Sequence, residues 1–502
     1  MNGKIEKLIE RFKRAENRKQ QWLPHWQECY EYALPQRENV GMTSIGTDYG
    51  SKKNLHLFDG TAPDAVDQLA SSLLSELTPP WAKWFGLKGG EELSEEERSR
   101  VAETLEKTSE IMMQNFEHSN FAVEIHQCYL DLVTAGTACL MFEEAPVGEA
   151  SAFRFYAVPL REIALEESPD GKIDTTFRCS QIGLESIRLR FPKAEVPPLW
   201  EERFHSDGNF RLTLIEAVIP RHGSFGQSGY EYTAFVWDEN SGPEDNLVLR
   251  EGVFETSPFI NFRWLKAPGE VYGRSPVMKA LPDIKTANKV VELILKNASI
   301  SVTGIWQADD DGILNPANIK LVPGAIIPKA VGSKGLTPLE APGKFDVSQL
   351  ILENLQRRIN HALLADRLSQ VNVPNMTATE VLERSAEIAR ILGASFGRLQ
   401  SELLTPLLKR AFYILRRRGD IMNFDLDGKI VDLQYKSPLA LLQARQDVSN
   451  ISEWINLVTA LGMDGLSAVN MFEAAKTLGR ILNVPATLIN ERPQGNIADA
   501  AE

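Results

Sequence analysis

The amino-acid sequence predicts an α+β fold that is predominantly helical. Apolar residues recur with helical periodicity towards both ends of the chain, whereas short β-rich runs are concentrated in about residues 137–265. These runs do not alternate with helices, which argues against a βαβ series. The 502-residue chain has 43% hydrophobic and 24% charged side chains. A globular chain of this length can form about two to four packed units.

Charge and cysteine usage exclude several classes of protein. The net charge of −14 argues against a general nucleic-acid-binding surface, because affinity for phosphates comes mainly from clustered lysine and arginine. No stretch approaches the ~20 apolar residues that span a bilayer, so no membrane partner is expected. No signal-peptide pattern is present, and synthesis in a cytoplasm is expected. The four cysteines form no CxxC pair, which favours free thiols over a zinc or redox motif.

The N-terminal part of the chain is predicted to be helical. Residues 3–34 are expected to form one amphipathic helix. Its apolar face carries Ile5, Leu8, Ile9, Phe12, Trp22, Trp26 and Tyr30. The next helix is stopped by Pro79 and Pro80. Its apolar face carries Val66, Leu69, Ala70, Leu73, Leu74 and Leu77. Two further helices are predicted at about 94–117 and 120–135.

After the β-rich region, which contains one predicted short helix near 184–190, the pattern indicates a pair of helices. The first is predicted over 280–300 and the second over 346–368, antiparallel to the first, with a proline-rich insert over 301–345 between them. The apolar face of the first carries Ile284, Ala287, Val291, Ile294, Leu295 and Ala298. Its polar face carries Lys285, Lys289, Glu292 and Lys296. The second carries Val347, Ile351, Leu355, Ile359 and Leu363 at four-residue steps.

A third long helix is predicted further on. It starts with a capping box at Thr377 and continues to about Arg418. Gly393, Gly397 and Pro406 lie inside it, so a kink is expected. The segment KIVDLQY then predicts a strand, and the rest of the chain is rich in helical pattern apart from an unstructured end.

Catalytic signatures are incomplete in this sequence. There is no GxSxG, HExxH or GxGxxG, and the only GKF lacks the flanking residues of a phosphate-binding loop. His118 and His126 are too far apart for an i, i+4 metal pair. The acidic pairs at 143–144 and 166–167 could be invoked for a nuclease or hydrolase, but ordinary surface charge is the preferred interpretation. We therefore expect no enzyme activity, no cofactor and no metal.

Five segments in order resemble the head-to-tail connector, or portal, family of T7-like podophages. They are FDGTAPDAVDQLASSLLSELTPPWAKWF, YGRSPVMKALPDIKTANK, ADRLSQ, MTATEVLERSAEIARILGASFGRLQSELLTPLL and YKSPLALLQARQ. The resemblance runs from the first helix to about residue 445, and the tail after about residue 480 departs from it.

The resemblance implies a ring, usually of twelve subunits, around a channel wide enough for double-stranded DNA. Each chain is divided in this family into wing, stem, clip and crown. The implied parts are the wing (1–277), stem helix 1 (278–300), the clip (301–345), stem helix 2 (346–370), the tunnel loop (371–377), a long kinked wing helix (378–418), and a wing return strand with the crown (419–502).

Candidate functional residues follow from these assignments. The DNA-facing channel loop is expected to be Val371, Asn372, Val373, Pro374, Asn375 and Met376. None of them carries a fixed charge that would trap a phosphate. Lys285, Lys289 and Lys296 could form basic rings in the channel, or could lie on a solvated outer face paired with Glu292. Hinge motion is expected at Gly393 and Gly397.

The implied function is genome packaging, retention and ejection at one vertex of the virion capsid. The implied partners are further copies of this chain, sliding DNA, the terminase large subunit, a tail adaptor, and the major capsid, scaffold and internal core proteins. An alternative is a scaffold or tail component without a DNA channel. The helix–insert–helix arrangement speaks against that alternative.

Overall fold

The computed structural model describes residues 2–37, 56–90, 92–208, 210–222, 228–237, 247–303, 306–308, 336–338, 345–368, 393, 395–422, 431–435, 448, 451–460 and 470–481. Helices and antiparallel sheets both contribute to this part of the chain. The predicted α+β class is therefore confirmed.

The N-terminal region forms two helices, α1 (Asn2–Gln20) and α2 (Leu23–Ala33), so the single helix predicted over 3–34 is wrong. Pro24 lies in the first turn of α2, where its missing N–H costs no helical hydrogen bond. Because of this break, the apolar faces of α1 and α2 pack into different cores. Phe12 packs with Phe177 of a β-sheet, whereas Trp26 joins the main core of the molecule.

Three helices and a short strand follow. Their bounds are α3 (Thr61–Leu77), β1 (Phe85–Gly89), α4 (Glu95–Glu117) and α5 (Phe121–Ala135), close to the predicted helix positions. A capping box between Ser94 and Glu97 starts α4. Gly136 ends α5 with a φ of 78°, and a Cβ there would lie 2.5 Å from the carbonyl oxygen of Gly273. Only glycine allows this close approach.

The β-rich region contains two antiparallel sheets. The smaller sheet has the order β3 (Phe153–Val158), β2 (Thr137–Glu144), β9 (Phe259–Arg263). The larger has the order β4 (Ile163–Glu167), β5 (Ile173–Gly183), β6 (Arg211–His222), β7 (Ser228–Trp237), β8 (Val248–Phe254). The predicted short helix is α6 (Leu184–Arg190). A further helix, α7 (Pro198–Ser206), was not predicted, because it has no buried residue and hence no apolar periodicity.

The predicted pair of helices is present with different bounds. Helix α8 spans Pro276–Thr303, and the short strands β10 (Trp306–Ala308) and β11 (Leu336–Pro338) pair antiparallel beyond it. The expected helix 346–370 is instead α9 (Phe345–Ala362) and α10 (Ala365–Leu368). Leu364 separates them with a φ of 60°, a left-handed backbone conformation that ends the helix. Burial of Leu363 and Ala365 on either side accompanies this break.

Towards the C-terminus, a π-helical turn (Gln400–Leu404) runs directly into α11 (Thr405–Arg418). The irregularity expected near Pro406 therefore takes the form of a wider turn, in which the backbone N–H of Thr405 donates to the carbonyl of Gln400. The predicted strand is β12 (Val431–Tyr435), paired antiparallel with β1. Helices over 451–460 and Met471–Ile481 complete the described chain.

Candidate functional site at the paired helices

Helices α8 and α9 form an antiparallel pair that leaves the body of the molecule. Arg358, near the end of α9, places its Nη2 atom 3.0 Å from Oδ2 of Asp283, near the start of α8. The two helices also pack through side chains that are buried at the end of the pair next to the body. These side chains are Ile284, Ala287, Leu355 and Ile359. The predicted apolar faces are thus confirmed for this end of the pair.

A polar network fixes the base of the pair to the segment that precedes α3. The side-chain carbonyl of Asn288 accepts the backbone N–H groups of Phe58 at 2.6 Å and Asp59 at 3.1 Å. Its amide group donates to the carbonyl of His56 at 2.9 Å. From α9, the Gln356 amide donates to Oδ1 of Asp59 at 3.1 Å. The FDGT segment therefore joins both helices to α3.

The three lysines proposed as basic residues have two different environments. Lys285 donates to Glu28 of α2 at 3.0 Å, and this hydrogen bond raises the lysine pKa. Lys289 and Lys296 both donate to Glu292, at 2.9 and 2.6 Å. Hydrogen bonds from Lys296 and Lys289 lower the pKa of Glu292 to about 2. The alternative given above, in which the lysines pair with Glu292 on a solvated face, predicts these two ion pairs. Lys285 instead contacts α2.

Away from the body, both helices expose large apolar side chains. Leu293 and Leu295 of α8 are 54% and 52% exposed, and Leu350 and Ile351 of α9 are 62% and 46% exposed. The predicted apolar faces included Leu295 and Ile351 as packing residues, and within the described single chain these two are not buried. These four exposed branched side chains are apolar area that water does not favour, and Leu293 and Leu295, two positions apart, lie on different sides of α8.

The predicted channel loop, Val371 to Met376, lies outside the described residues. Of the predicted hinge, Gly393 and Gly397 are described, and both are exposed. A Cβ atom added to either would have no neighbour within 4 Å among the described atoms. Contacts among the described residues therefore do not require glycine at these two positions.

A buried ion pair secures the π-helical turn against β9. Arg263 is fully buried, and its Nη2 lies 2.6 Å from Oε1 of Glu402 in the turn. The same guanidinium donates to the carbonyls of Gly171 and Val271. The Glu402 carboxylate also accepts the backbone N–H of Arg263 at 3.0 Å. Charge and hydrogen-bonding capacity are therefore matched inside the protein.

Of the acidic pairs at 143–144 and 166–167, interpreted above as ordinary surface charge, Glu143 is exposed as predicted, whereas the other three side chains are largely covered, contrary to the prediction. Each carboxylate has a cationic partner from a different element of the fold. The pairs are Glu143 with Arg190, Glu144 with Arg417, Glu166 with Arg11 and Glu167 with Lys266. Neighbouring residues in the sequence give no sign of these partners. Arg190 is 47 positions from Glu143, and Arg417 is 273 positions from Glu144.

Other chemical features of the described chain are limited. No group of three or more His, Cys, Asp or Glu side chains that could hold a metal is found in the part of the chain that the structure describes. Within the same residues, no helix is long and apolar enough to cross a membrane. Cys29, Cys128, Cys139 and Cys179 are all free thiols, as predicted.

The sequence did not predict a structural role for four residues of these networks, namely Asn288, Asp59, Arg263 and Glu402. The FDGT segment gave one available signal, since a polar DGT sequence directly before an apolar helix marks a helix start. No signal in the sequence pairs Asp59 with Gln356 or Arg263 with Glu402, because the partners are 297 and 139 positions apart.

Comparison with known proteins gives consistent matches over nearly the whole chain. Residues 5–489 match the family described as bacteriophage head to tail connecting protein. The chain is 24% identical to the probable portal protein of Bordetella phage BPP-1, over 96% of this chain and 88% of that protein. It is 24% identical to the portal protein of Salmonella phage epsilon15 over 98% of this chain and 90% of that protein. For the portal protein of Escherichia phage T7, identity is 21%, with coverage of 90% and 81%.

Among solved structures, a chain from the virion of a native gene transfer agent particle aligns with a TM-score of 0.37 at 12% identity. The alignment covers 87% of this chain and 96% of that chain.

Proposed function

The chain belongs to the bacteriophage head-to-tail connecting protein family, the portal proteins of T7-like phages, and from this membership we propose how it works. It assembles into a closed ring, of about twelve copies by family resemblance, at one vertex of the capsid in the virion. Double-stranded DNA passes through the ring during packaging, is retained, and later leaves through it. Assembly takes place in the bacterial host cytoplasm.

The parts of the chain have separate tasks in this proposal. Helices α8 and α9 with α10 are the stem, and the residues between α8 and α9 are the clip. The body before α8 and the helix ending at Arg418 are the wing, and the helices after β12 belong to the crown. The loop Val371 to Met376 narrows the channel, with hinge motion at Gly393 and Gly397.

The observation that carries the ring proposal is the exposed apolar surface of the stem. Leu293, Leu295, Leu350 and Ile351 lie on both helices of the pair. A head-to-tail interface buries such a surface against a different face of the next subunit, and it closes into a ring when the rotation between subunits allows. Burying each leucine or isoleucine fully would contribute about 1.5–3 kcal/mol.

Negative-stain electron microscopy of the purified full-length chain tests the ring. We expect rings with a central hole for the native sequence. The double variant Leu293→Gln/Leu350→Gln should yield mainly monomers with an unchanged melting temperature. Leu189→Gln is the matched control, since Leu189 of α6 is 85% exposed but lies outside the stem. Monomers from the native chain, or intact rings from the stem variant, would reject the stem interface.

The acidic charge suits sliding rather than gripping. Each subunit carries a net charge of −14, and a channel wall that repels phosphates keeps DNA mobile. Lys289 and Lys296 then offer local contacts with DNA that their shared partner Glu292 weakens.

The ring has no catalytic activity and no cofactor in this proposal. A separate terminase ATPase, docked through its large subunit on the clip, supplies the energy for packaging, and a tail adaptor later takes the same place. The wing and crown face the major capsid, scaffold and internal core proteins. ATP hydrolysis by the purified ring above a protein-free control would contradict this division of work.

A further inference from the structure

A stripe of cationic side chains runs along α1. Lys7, Arg14 and Arg18 are exposed, and among the described residues none of them forms an ion pair. They are seven and four positions apart, so they lie on one face of the helix. Another face of α1 is buried on the five-stranded sheet, where Leu8 and Phe12 join its core. These three cationic residues are named here the basic stripe.

The cationic excess of α1 remains when its neighbours are counted. The helix contains seven cationic and three carboxylate side chains. Lys4 pairs with Glu231 and Glu251 of the sheet, and Arg11 pairs with Glu166. With these three carboxylates added, seven cations still face six carboxylates within the described part of the chain. This excess is unusual in a chain whose net charge is −14.

Helix α4 has the reverse balance, with seven glutamates and three cationic residues. Glu110 and Glu117 are exposed and Glu106 is half-buried. These three residues, named here the acidic stripe, share one face of α4 at the same seven- and four-residue spacing. Lys107 pairs with Glu103 of the same helix. In the described chain no cation from another element pairs with the acidic stripe.

The two stripes match when the helices lie antiparallel. The intervals are seven and four residues in both, or about 10.5 and about 6 Å along the axis. The matched pairs are Lys7 with Glu117, Arg14 with Glu110, and Arg18 with Glu106.

The remaining charges favour the antiparallel arrangement. In this register Glu10, the carboxylate of α1 next to the basic stripe, faces the uncharged Gln114, and Lys107 faces the uncharged Asn17. A parallel register that keeps Arg14 opposite Glu110 instead places Glu10 opposite Glu106. Like charges brought together at an interface oppose binding.

The two stripes belong to different parts of the fold. Phe12 of α1 packs in the core of the five-stranded sheet, whereas Met112 of α4 packs in the main core. On its side towards β1, α4 accepts the backbone N–H of Leu87 through the hydroxyl of Ser109. A head-to-tail interface requires two different, complementary surfaces on each copy, and the two stripes provide such surfaces.

We propose that the basic stripe of one subunit docks on the acidic stripe of the next subunit, with α1 and α4 antiparallel. The contact rests on the proposed ring, to which it adds an interface in the wing. Exposed ion pairs contribute little affinity each. Their role here is to select the orientation and register of neighbouring wings, while apolar contacts hold the ring together.

Charge reversal tests the contact in the full-length chain. Variant A is Lys7→Glu/Arg14→Glu/Arg18→Glu, and variant B is Glu106→Lys/Glu110→Lys/Glu117→Lys. We measure ring formation by analytical ultracentrifugation at about 0.1 M salt, where charges interact over about 10 Å. Each variant alone should need at least about tenfold more protein than the native chain to assemble, because like charges then face each other.

A mixture of the two variants provides the decisive measurement. The reversed α1 of variant A meets the reversed α4 of variant B, and the two native stripes meet at the next contact. An equimolar mixture should therefore assemble as the native chain does, and a tag on variant A alone should retain variant B. Since Glu106 is half-buried, a second form of variant B carries only Glu110→Lys/Glu117→Lys.

The matched control is Lys13→Glu/Lys193→Glu/Arg203→Glu. It makes the same change of net charge at exposed cations outside the basic stripe. Lys13 is on α1 itself but lies over the ring of Trp237, on another side of the helix. This variant should assemble as the native chain does.

Two kinds of result would overturn the contact while leaving the ring intact. One is normal ring formation by variants A and B separately. The other is weak assembly that mixing does not restore. If variant A assembles normally but loses binding to a double-stranded DNA fragment, the basic stripe serves nucleic acid and the contact is rejected. Absence of rings from the native chain would instead reject the proposed ring and this contact with it.

Discussion

Arg263 and Glu402 show what a single buried ion pair does in this fold. Arg263 has no exposed surface, and it contacts the Glu402 carboxylate as well as two backbone carbonyls. An isolated buried charge would be costly, but here the acceptors are provided by Glu402 of the π-helical turn and by the carbonyls of Gly171 and Val271. The pair therefore fixes the position of the turn on the sheet more than it adds net stability.

Replacing Glu402 by alanine should destabilise the protein strongly. It leaves the Arg263 guanidinium buried with the two carbonyls and with Glu167 at 3.5 Å, and a broken buried pair typically costs about 3–5 kcal/mol. Glu402→Gln should cost less because the amide oxygen still accepts. The matched control is Glu255→Ala, at a half-exposed pair with Arg416, where a loss of about 0–1 kcal/mol is expected. Calorimetry checks this, and similar melting temperatures for the two alanine variants would contradict it.

Glu292 provides a prediction for pH. Its pKa in the folded chain is lowered from 4.5 to about 2 by hydrogen bonds from Lys296 and Lys289. Because the folded value is below the unfolded one, the stabilising contribution is complete above about pH 4.5 and is lost as the pH falls towards 2. NMR titration of the Glu292 carboxyl carbon should show a rise in pKa in Lys289→Gln/Lys296→Gln. Lys285→Gln should cause no change, since Lys285 pairs with Glu28.

At the scale of elements, Asn288 links α8 to the start of α3. One side chain satisfies two backbone N–H groups and one carbonyl of the segment 56–59. Gln356 adds α9 to the same point through Asp59. A movement of the paired helices would therefore be transmitted to α3 through a few hydrogen bonds.

Asn288→Ala should loosen this junction without unfolding the helices. The N–H groups of Phe58 and Asp59 lose their acceptor, which costs about 2 kcal/mol locally, or roughly 30-fold faster amide exchange. Hydrogen exchange measured by mass spectrometry over residues 56–61 tests the effect. Asn354→Ala is the control, because Asn354 is exposed and, among the described residues, its side chain donates to the carbonyl of Leu350 of its own helix. Unchanged exchange in Asn288→Ala would show that the link is not needed.

At the scale of the whole molecule, some large apolar side chains are buried within the described chain and others are exposed. The body encloses a continuous core in which Trp84, Phe116 and Phe142 lie among other buried aromatic rings. Large apolar residues of α8 and α9 remain exposed in the described single chain.

The proposed channel loop can be tested by placing a cysteine at Asn375. Three native thiols are buried, and burial raises the pKa of Cys29 to about 12, so they should be unreactive. Cys179 is only partly buried, and the single change Cys179→Ser should remove the remaining background. In assembled rings, Asn375→Cys should cross-link neighbouring subunits or packaged DNA that carries a thiol-reactive group. Cysteine at Ser206, the last residue of α7 in the body, is the control, and the absence of cross-links at 375 in intact rings would remove the loop from the channel.

The sequence by itself determined the α+β class, the order of the elements and the family. Helical periodicity located α3, α5 and α8, and the five ordered segments carried the resemblance that the family match confirms. These features depend on local patterns, in which side chains a few positions apart define one face of a helix.

The tertiary structure decided the breaks, the charge partners and the exposed faces. The interruptions before Leu23 and at Leu364 depend on which core each helix packs against, and periodicity does not contain that information. From the sequence, Glu144 and Glu167 are interpreted as surface charges. The fold shows that they pair with Arg417 and Lys266. The apolar pattern of Leu295 and Ile351 predicted burial, yet only three-dimensional packing shows that the described part of one chain leaves them exposed. Contacts between distant residues arise from the whole fold, and a local pattern cannot specify them.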